Sequence, residues 1–372
     1  MKITINKSNI ESVVSSIQPF VEKRDASQIT ACVLLEVQNG ELILRATDYE
    51  IGIVAKIECD SVDGDGNLAV NGKKLLDSLK SLKDENITLE KKDYGDKGEK
   101  LDIKQGKSTI KLPIFIGDNF PEAPENYQNS KLNIDSKSLI DSLKRLMPVI
   151  EINNPRTEYR NALIDIKEYK FNFVATDTKR LEVISFDSQS VDKMNFMFPK
   201  KAIMEAQKLF NEDSNIYFND KNIIIENEKF TFWTKIPNGN FIDYEKVVPK
   251  DIKYRVHIDK DKITEALKII NSVWFQARLT FKKDSIFFEV VYSDKEFEAT
   301  AEIDLDAELN KEFIEKLGDD SFSITINSKH ILDFVAHINT QTFEFGINQN
   351  LQSASTLKSD NFLLTFMPIL MD

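Results

Sequence analysis

The sequence predicts an α+β fold built from three copies of one β-rich unit, each carrying two helices. Three observations support that expectation. Two strand-then-helix segments each recur three times at a nearly fixed period, the signature of an internal repeat. The stretches between them alternate apolar and polar residues, which reads as half-buried strands. The chain's 372 residues are too many for one ordinary core, whereas a third of them, 124, is a comfortable domain.

The first recurring segment reads ITINKSNIESVVSSI at the start, LNIDSKSLIDSLKRL from Leu132 and VHIDKDKITEALKII from Val256. Each copy is a short alternating strand, a polar turn and an amphipathic helix. Its anchors Ile5, Ile134 and Ile258 are separated by 129 and 124 residues. The second segment reads LAVNGKKLLDSLKSL, FMFPKKAIMEAQKLF and ITINSKHILDFVAHI, and its anchors Leu75, Ile203 and Ile331 are separated by 128 and 128. The strand-like runs ELILRAT, FNFVAT and SIFFEVV fill the first half of each unit, and NITLEKK, NIYFND and TFEFGIN follow each second helix. Short turns between most of these runs make the sheets antiparallel. The expected domains are 1–126, 127–250 and 251–372, with linkers at Phe120 to Ser130 and Val247 to Lys253.

A composition of 41% hydrophobic and 30% charged residues is that of a folded chain. No run of 18 apolar residues is present, and MKITINKSNI alternates like a strand, unlike the apolar core of a signal peptide. Cys32 and Cys59 both lie in strand-like runs, which fits a reducing cytosol and gives no disulfide or metal framework. The net charge of −12 argues against gripping nucleic acid by bulk attraction. The charge is segregated, however. Residues 72–83 carry Lys73, Lys74, Lys80 and Lys83 against Asp77, a net of +3. Residues 136–147, with Lys137, Lys144 and Arg145 against Asp141, and 199–210, with Lys200, Lys201 and Lys208 against Glu205, are each +2. The other expected helices, 7–24, 259–275 and 328–338, are +1 or neutral. Solvated lysines account for such helices, and so does a set of helices facing a polyanion.

Motifs for chemistry mostly fail. Asp63-Gly64-Asp65-Gly66-Asn67 begins like a calcium loop, but Leu68 stands where glycine is needed and Lys74 where glutamate is needed, so a polar hairpin turn is expected. GDKGEK from Gly95 lacks phosphate-loop spacing. His330 and His337 lie seven residues apart on one expected helix, about 10 Å along its axis, too far to share a metal. Trp233 and Trp274 read as core or interface residues. No enzyme and no cofactor is expected.

ELILRATDYEIGI in the first unit, FNFVATDTKRLEVI and NGNFIDYEKVVPK in the second, and the terminal FMPILMD together resemble the bacterial sliding clamps, the beta subunit of DNA polymerase III. The resemblance covers all three units. It implies the DNA clamp fold and a head-to-tail homodimer closed into a ring, with helices lining a pore and sheets forming the rim. It implies a non-catalytic processivity factor that encircles double-stranded DNA without sequence preference. The partners it implies are a clamp loader, the DNA polymerase III alpha subunit and other polymerases, ligase and mismatch-repair proteins. It implies no membrane and a cytoplasmic, nucleoid-associated protein. A β-rich enzyme or sugar-binding protein made by triplication is the alternative of another class, and it would need a cleft of convergent polar groups.

Residue roles follow from the same resemblance. Arg24, Lys73, Lys74, Lys80, Lys144, Arg145, Lys200, Lys201 and Lys208 are the expected DNA-facing residues. The dimer interface is expected to join the strand bearing Lys107, Ile110 and Leu112 to Val273 and an acidic strand with Glu296, Glu298 and Glu302. The client cleft takes Thr176, Arg180 and Leu181 from the second unit, Ile242, Lys246 and Val247 from the linker, and Thr365, Met367, Pro368 and Ile369 from the terminal segment. Leu181, Val247, Met367 and Ile369 suit a pocket for apolar client side chains, with Arg180 and Lys246 holding polar peptide atoms at its rim. The chain departs from the family at Ser27-Gln28-Ile29-Thr30, where a T-L-P-I-L run is usual, and at Thr178-Lys179, where Gly-His is frequent. Ile242 replaces a common proline, and Ile369-Leu370-Met371-Asp372 replaces a Met-Arg-Leu type of ending.

Overall fold

A computed structural model describes every residue except 24–27, 126–130, 189–192, 211–212, 293–296, 349–352 and 371–372. The first third of the chain forms β1 (Lys2–Asn6), α1 (Lys7–Ile17), β2 (Cys32–Gln38), β3 (Glu41–Thr47), β4 (Ile51–Glu58), β5 (Ser61–Asp63), β6 (Gly66–Asn71), α2 (Gly72–Lys80), β7 (Asn86–Asp93), β8 (Glu99–Gln105) and β9 (Ser108–Phe115). Next come α3 (Ser136–Leu146), β10 (Asn161–Lys167), β11 (Lys170–Thr176), β12 (Arg180–Asp187), β13 (Met194–Pro199), α4 (Lys200–Leu209), β14 (Asn215–Phe218), β15 (Asn222–Glu226) and β16 (Phe230–Lys235). The last third adds β17 (Tyr254–Asp259), α5 (Lys260–Asn271), β18 (Gln276–Phe281), β19 (Ser285–Val290), β20 (Thr300–Asp304), α6 (Lys311–Leu317), β21 (Phe322–Asn327), α7 (Ser328–Val335), β22 (Thr342–Ile347), β23 (Ser355–Ser359) and β24 (Phe362–Phe366).

The repeat is visible in how helices begin. Asn6, Asn71, Asp259 and Asn327 each end a strand and cap the following helix, their side-chain oxygens accepting backbone N–H groups of its first turn. Two expectations about helices need correction. The first helix stops at Ile17 and not near residue 24, because Pro19 lies in the next turn and tightens it into a 3₁₀ turn over Gln18–Phe20. The third repeat holds an additional helix, α6, whose seven residues are too few to show a clear period.

Contacts divide the chain into two compact units: residues 1–141 with 201–236, and residues 142–200 with 237–372. The first unit holds one twelve-stranded sheet in the order β14-β15-β16-β4-β3-β2-β6-β9-β8-β7-β1-β5. Its β4 pairs antiparallel with β16, placing Gly52 opposite Trp233. The stretch from Asp63 to Asn67 is a turn but not a hairpin, since β5 pairs with β1 while β6 pairs with β2. On β9, Leu112 lies opposite Leu101 and Ile110 opposite Ile103; Leu112 is buried in the unit's own core, and Ile110 is half-buried.

The second unit holds an eight-stranded sheet in the order β13-β10-β11-β12-β24-β23-β22-β17 and a four-stranded sheet in the order β20-β19-β18-β21. The antiparallel pairing of β12 with β24 sets Leu181 opposite Thr365, and β24 with β23 sets Thr365 opposite Thr356. Side chains alternate across a strand, so Thr176, Leu181, Thr365 and Thr356 form one row on one face. That row positions the site described next.

Candidate binding cleft

The turn joining β11 to β12 is fixed by its own side chains. The Thr176 hydroxyl donates to the Arg180 carbonyl at 2.7 Å and accepts the Thr178 N–H at 3.1 Å. Asp177 Oδ1 accepts the N–H groups of Lys179 and Arg180, each at 2.9 Å. These bonds hold Thr178 at φ +78°, a left-handed conformation that a threonine rarely adopts without such support.

Beside this turn lies a hollow of about 480 Å³. Thr176 and Leu181 with Thr365 and Phe366 form its floor, Thr178 and Lys179 one lip, and Met367 another. Arg156 and Tyr159 enter from the 3₁₀ turn before β10, Ala354 from just before β23, and Ile242 and Val247 from the segment after β16. Leu181 and Thr365 are almost fully buried, while Met367 is 48% exposed, so the hollow has a fixed floor and an open apolar lip. Among the described residues the Thr365 hydroxyl finds no hydrogen-bond partner.

The strap bearing Ile242 and Val247 is anchored between them. Tyr244 is buried, and its hydroxyl donates to Asp165 Oδ2 on β10 at 2.7 Å. Burial and that carboxylate push the Tyr244 phenol well above its usual range, so it remains a donor. Tyr244 packs with Leu163, Val174, Leu181 and Val183, and Phe241, Ile242 and Val248 rest on the same cluster. The Met367 N–H reaches the Lys179 carbonyl at 3.4 Å, and the Ile369 N–H donates to the Thr325 carbonyl on β21 at 2.7 Å.

Beneath the floor is a buried charged group. Arg180 Nε donates to Asp177 Oδ2 at 3.1 Å, Nη2 donates to the Pro148 carbonyl at 3.1 Å, and Nη1 lies 2.8 Å from Asp333 Oδ2 on α7, outside good hydrogen-bond angles. Glu182 is 1% exposed, and burial pushes its carboxyl up to about 8 against the pull of Arg180. Burial, reinforced by the Arg180 charge, brings the His330 imidazole down to about 4, so it is neutral at pH 7.

Seven of the ten expected cleft residues therefore line one hollow: Thr176, Arg180, Leu181, Ile242, Val247, Thr365 and Met367. Three do not. Lys246 is on the strap but points to solvent beside Asp243, Pro368 is buried, and Ile369 is tied to β21 by its backbone. The Arg180 side chain lies beneath the floor and is held by protein groups, so it is not a free rim cation. Sequence reasoning missed Arg156, Tyr159, Ala354, Phe366 and, as lining residues, Thr178 and Lys179. The one available signal for the last two was the left-handed turn that ATD followed by two polar residues makes.

The expected cationic residues divide similarly. Lys73, Lys74, Lys80, Lys144, Lys201 and Lys208 are exposed on α2, α3 and α4, Lys201 pairing with Asp48 and Lys208 with Glu205. Arg145 stacks on the Phe362 ring at 4.5 Å, and Lys200 donates to the Ile150 carbonyl, burial lowering its pKa; both are committed to the protein. Arg24 and Glu296 lie outside the described residues. Lys107 is exposed in the two-residue turn before β9, Val273 is half-buried after α5, and Glu302 is exposed on β20 beside Ser285 and Lys282. Glu298 precedes that strand and is not part of it. Among the described residues no helix is long and apolar enough to cross a membrane.

The chain matches the family models of the DNA polymerase III beta subunit, N-terminal domain, over residues 1–124 and central domain over residues 133–243. The beta sliding clamp of Helicobacter pylori is 34% identical over 355 residues, covering 94% of this chain and 92% of that protein. The solved H. pylori beta clamp bound to a DNA ligase peptide superposes with a TM-score of 0.90 at 31% identity over the full length of both chains. The DNA polymerase III beta subunit of Pseudomonas aeruginosa has the same fold, with a TM-score of 0.89 at 23% identity and full coverage of both chains. The repeated strand–helix units, the ATD turns and the matches over the whole length agree, and the chain belongs to the family of bacterial beta sliding clamps, the beta subunits of DNA polymerase III.

Proposed function

We propose that this non-catalytic polymerase processivity factor works as a head-to-tail dimeric ring of three-domain subunits, with domains at 1–126, 127–250 and 251–372. The ring retains double-stranded DNA by encirclement and offers the hollow beside Leu181 to short client segments. The observation that carries the client reading is the construction of that hollow: a rigid floor, an anchored strap and a methionine lip. Methionine adapts to side chains of different shape, and burying one leucine-sized side chain is worth ~1.5–3 kcal/mol. One or two such anchors give micromolar binding, which a shared and exchangeable docking point needs. The clients are the polymerase III alpha subunit, other polymerases, ligase and mismatch-repair proteins, and a clamp loader opens the ring. Tethering raises the polymerase's effective concentration at the primer end without any covalent step.

Assembly is supported by two strands with an unpaired side. Among the described residues, β9 pairs with β8 along Ser108 to Pro113 but with β6 only at Ile114 and Phe115. Among the described residues the β20 strand pairs only with β19. Joining these edges in trans, twice, closes a two-fold ring. Leu112 serves its own core, so the edge is contributed by backbone and by Lys107, Thr109 and Lys111. The exposed lysines of α2, α3 and α4 would meet phosphates without reading sequence, and each lost contact reduces the salt slope by about 0.9.

The test is Met367→Glu. The variant is expected to elute as a dimer while losing polymerase stimulation and binding of a leucine- and phenylalanine-bearing peptide. Unchanged peptide affinity would refute the cleft assignment.

A further inference from the structure

A second hollow, of about 280 Å³, lies on the same sheet face of the second unit, on the other side of the strap. The two abut: Val247 lines the cleft and Val248 the second hollow, and Thr365 of the cleft lies opposite Thr356 of the second hollow. Its wall is built rather than incidental. Lys253 N–H donates to Asn348 Oδ1 at 2.9 Å, and Asn348 Nδ2 donates to the Asp251 carbonyl at 3.2 Å, pinning this segment to the sheet. The segment packs over β22 at Gly346, where any side chain would run into the Thr356 hydroxyl and Ile252.

The lining is cationic. Lys250, Arg255 and Lys358 face a single carboxylate, Glu344, which lies 3.5 Å from Arg255 Nε. Among the described residues Lys250 and Lys358 have no ion-pair partner, although 61 of the 372 residues are acidic. We propose that this hollow takes the carboxylate of an acidic residue flanking the apolar anchors of the same client segment that occupies the cleft. The proposal rests on the client reading above and extends it to specificity. An extended peptide advances ~3.3 Å per residue, so a residue a few positions from an anchor held against Val247 reaches Val248 and the lysines beyond it. Two exposed charge pairs of this kind add modest affinity and are weakened by salt.

The experiment uses full-length protein and four labelled peptides sharing one leucine–phenylalanine anchor pair. Two glutamates, or two glutamines, precede the anchors in one pair of peptides and follow them in the other. At low salt, one glutamate peptide is expected to bind wild type about fivefold more tightly than its glutamine counterpart. That advantage is expected to fall within twofold in Lys250→Gln/Lys358→Gln, while the glutamine peptides bind both proteins alike. Met367→Glu is expected to abolish binding of all four. Equal binding of glutamate and glutamine peptides to wild type, or a preference that survives the double substitution, overturns the proposal and leaves the cleft standing. Failure of every peptide on wild type overturns the cleft reading and this one together.

Discussion

The two units contain the same turn, closed over in one and open in the other. In the first, Thr47 Oγ1 donates to the Ile51 carbonyl and accepts the Tyr49 N–H, Asp48 Oδ1 accepts from Glu50 and Ile51, and Tyr49 sits at φ +72°. Each of these bonds has its counterpart at Thr176 to Arg180. The strands after the turns also pair alike, β4 with β16 and β12 with β24. What differs is the residue pair across the strands. Gly52 faces Trp233, whose indole occupies the space a side chain at position 52 would need and packs with Tyr217, Ile224 and Ala123. Leu181 faces Thr365, and a cavity remains. The opposite face is inverted in character: Ile51 and Ile53 are buried apolar residues where the second unit has Arg180 and Glu182. A repeated scaffold thus keeps a hollow at one position through a tryptophan withheld, with two ionisable side chains set on the face behind it.

The largest effects should come from exchanging the pair across β4 and β16. Trp233→Thr removes a buried indole and is expected to cost about 3–5 kcal/mol, while Gly52→Leu overpacks the same space at a cost of about 1–3 kcal/mol or more. Together they recreate the pair of the second unit. Denaturant unfolding should then show a loss at least ~1 kcal/mol smaller than the sum. Strict additivity would mean that the two junctions are not equivalent.

The charged face provides the next test. Glu182 keeps its proton up to about 8 when folded and releases it near 4.5 when unfolded, so its contribution is full below 4.5 and is lost as pH rises towards 8. His330 acts in the opposite sense: folded it stays neutral down to about 4, so its contribution is full above 6.5 and is lost as pH falls towards 4. Glu182→Gln should gain up to ~3 kcal/mol on wild type between pH 5 and pH 8. Parallel pH profiles for the two proteins would show that Glu182 is charged in the fold. Tyr244→Phe leaves the Asp165 acceptor without its buried donor and should cost about 1–3 kcal/mol. Calorimetry would report that loss, and peptide titration should show weaker binding as the strap loosens. Smallest is Lys201→Ala, which removes an exposed partner of Asp48 and should change stability by less than ~1 kcal/mol. A larger loss would mean that the first turn depends on that cation.

The sequence made the repeats legible because strand-cap-helix junctions are local: Asn6, Asn71, Asp259 and Asn327 act on groups within three residues of themselves. Cleft residues beside recognisable turns were legible for the same reason. What stayed hidden depends on pairings distant in sequence. Tyr244 finds Asp165 79 residues away, and Arg180 finds Asp333 on another repeat's helix. Tyr159 and Arg156 reach the cleft from a 3₁₀ turn with no periodic signature. Alternation on β9 marked Ile110 and Leu112 as one face but could not say that Leu112 packs into its own unit's core, since an edge strand and a core strand share the same period.

Strand exchange between repeats has a consequence for dissecting the molecule. Since β4 borrows β16 and β12 borrows β24, each from the following repeat, no cut at a repeat boundary leaves a finished sheet. A fragment ending near residue 125 would bare the edge of β4, with Ile51, Ile53 and Ala55 along it, and one beginning near residue 251 would bare β24. Exposed edges of that kind recruit other chains. Isolated thirds of this protein should therefore aggregate on expression, and protease nicks between repeats should leave pieces that stay associated until denatured.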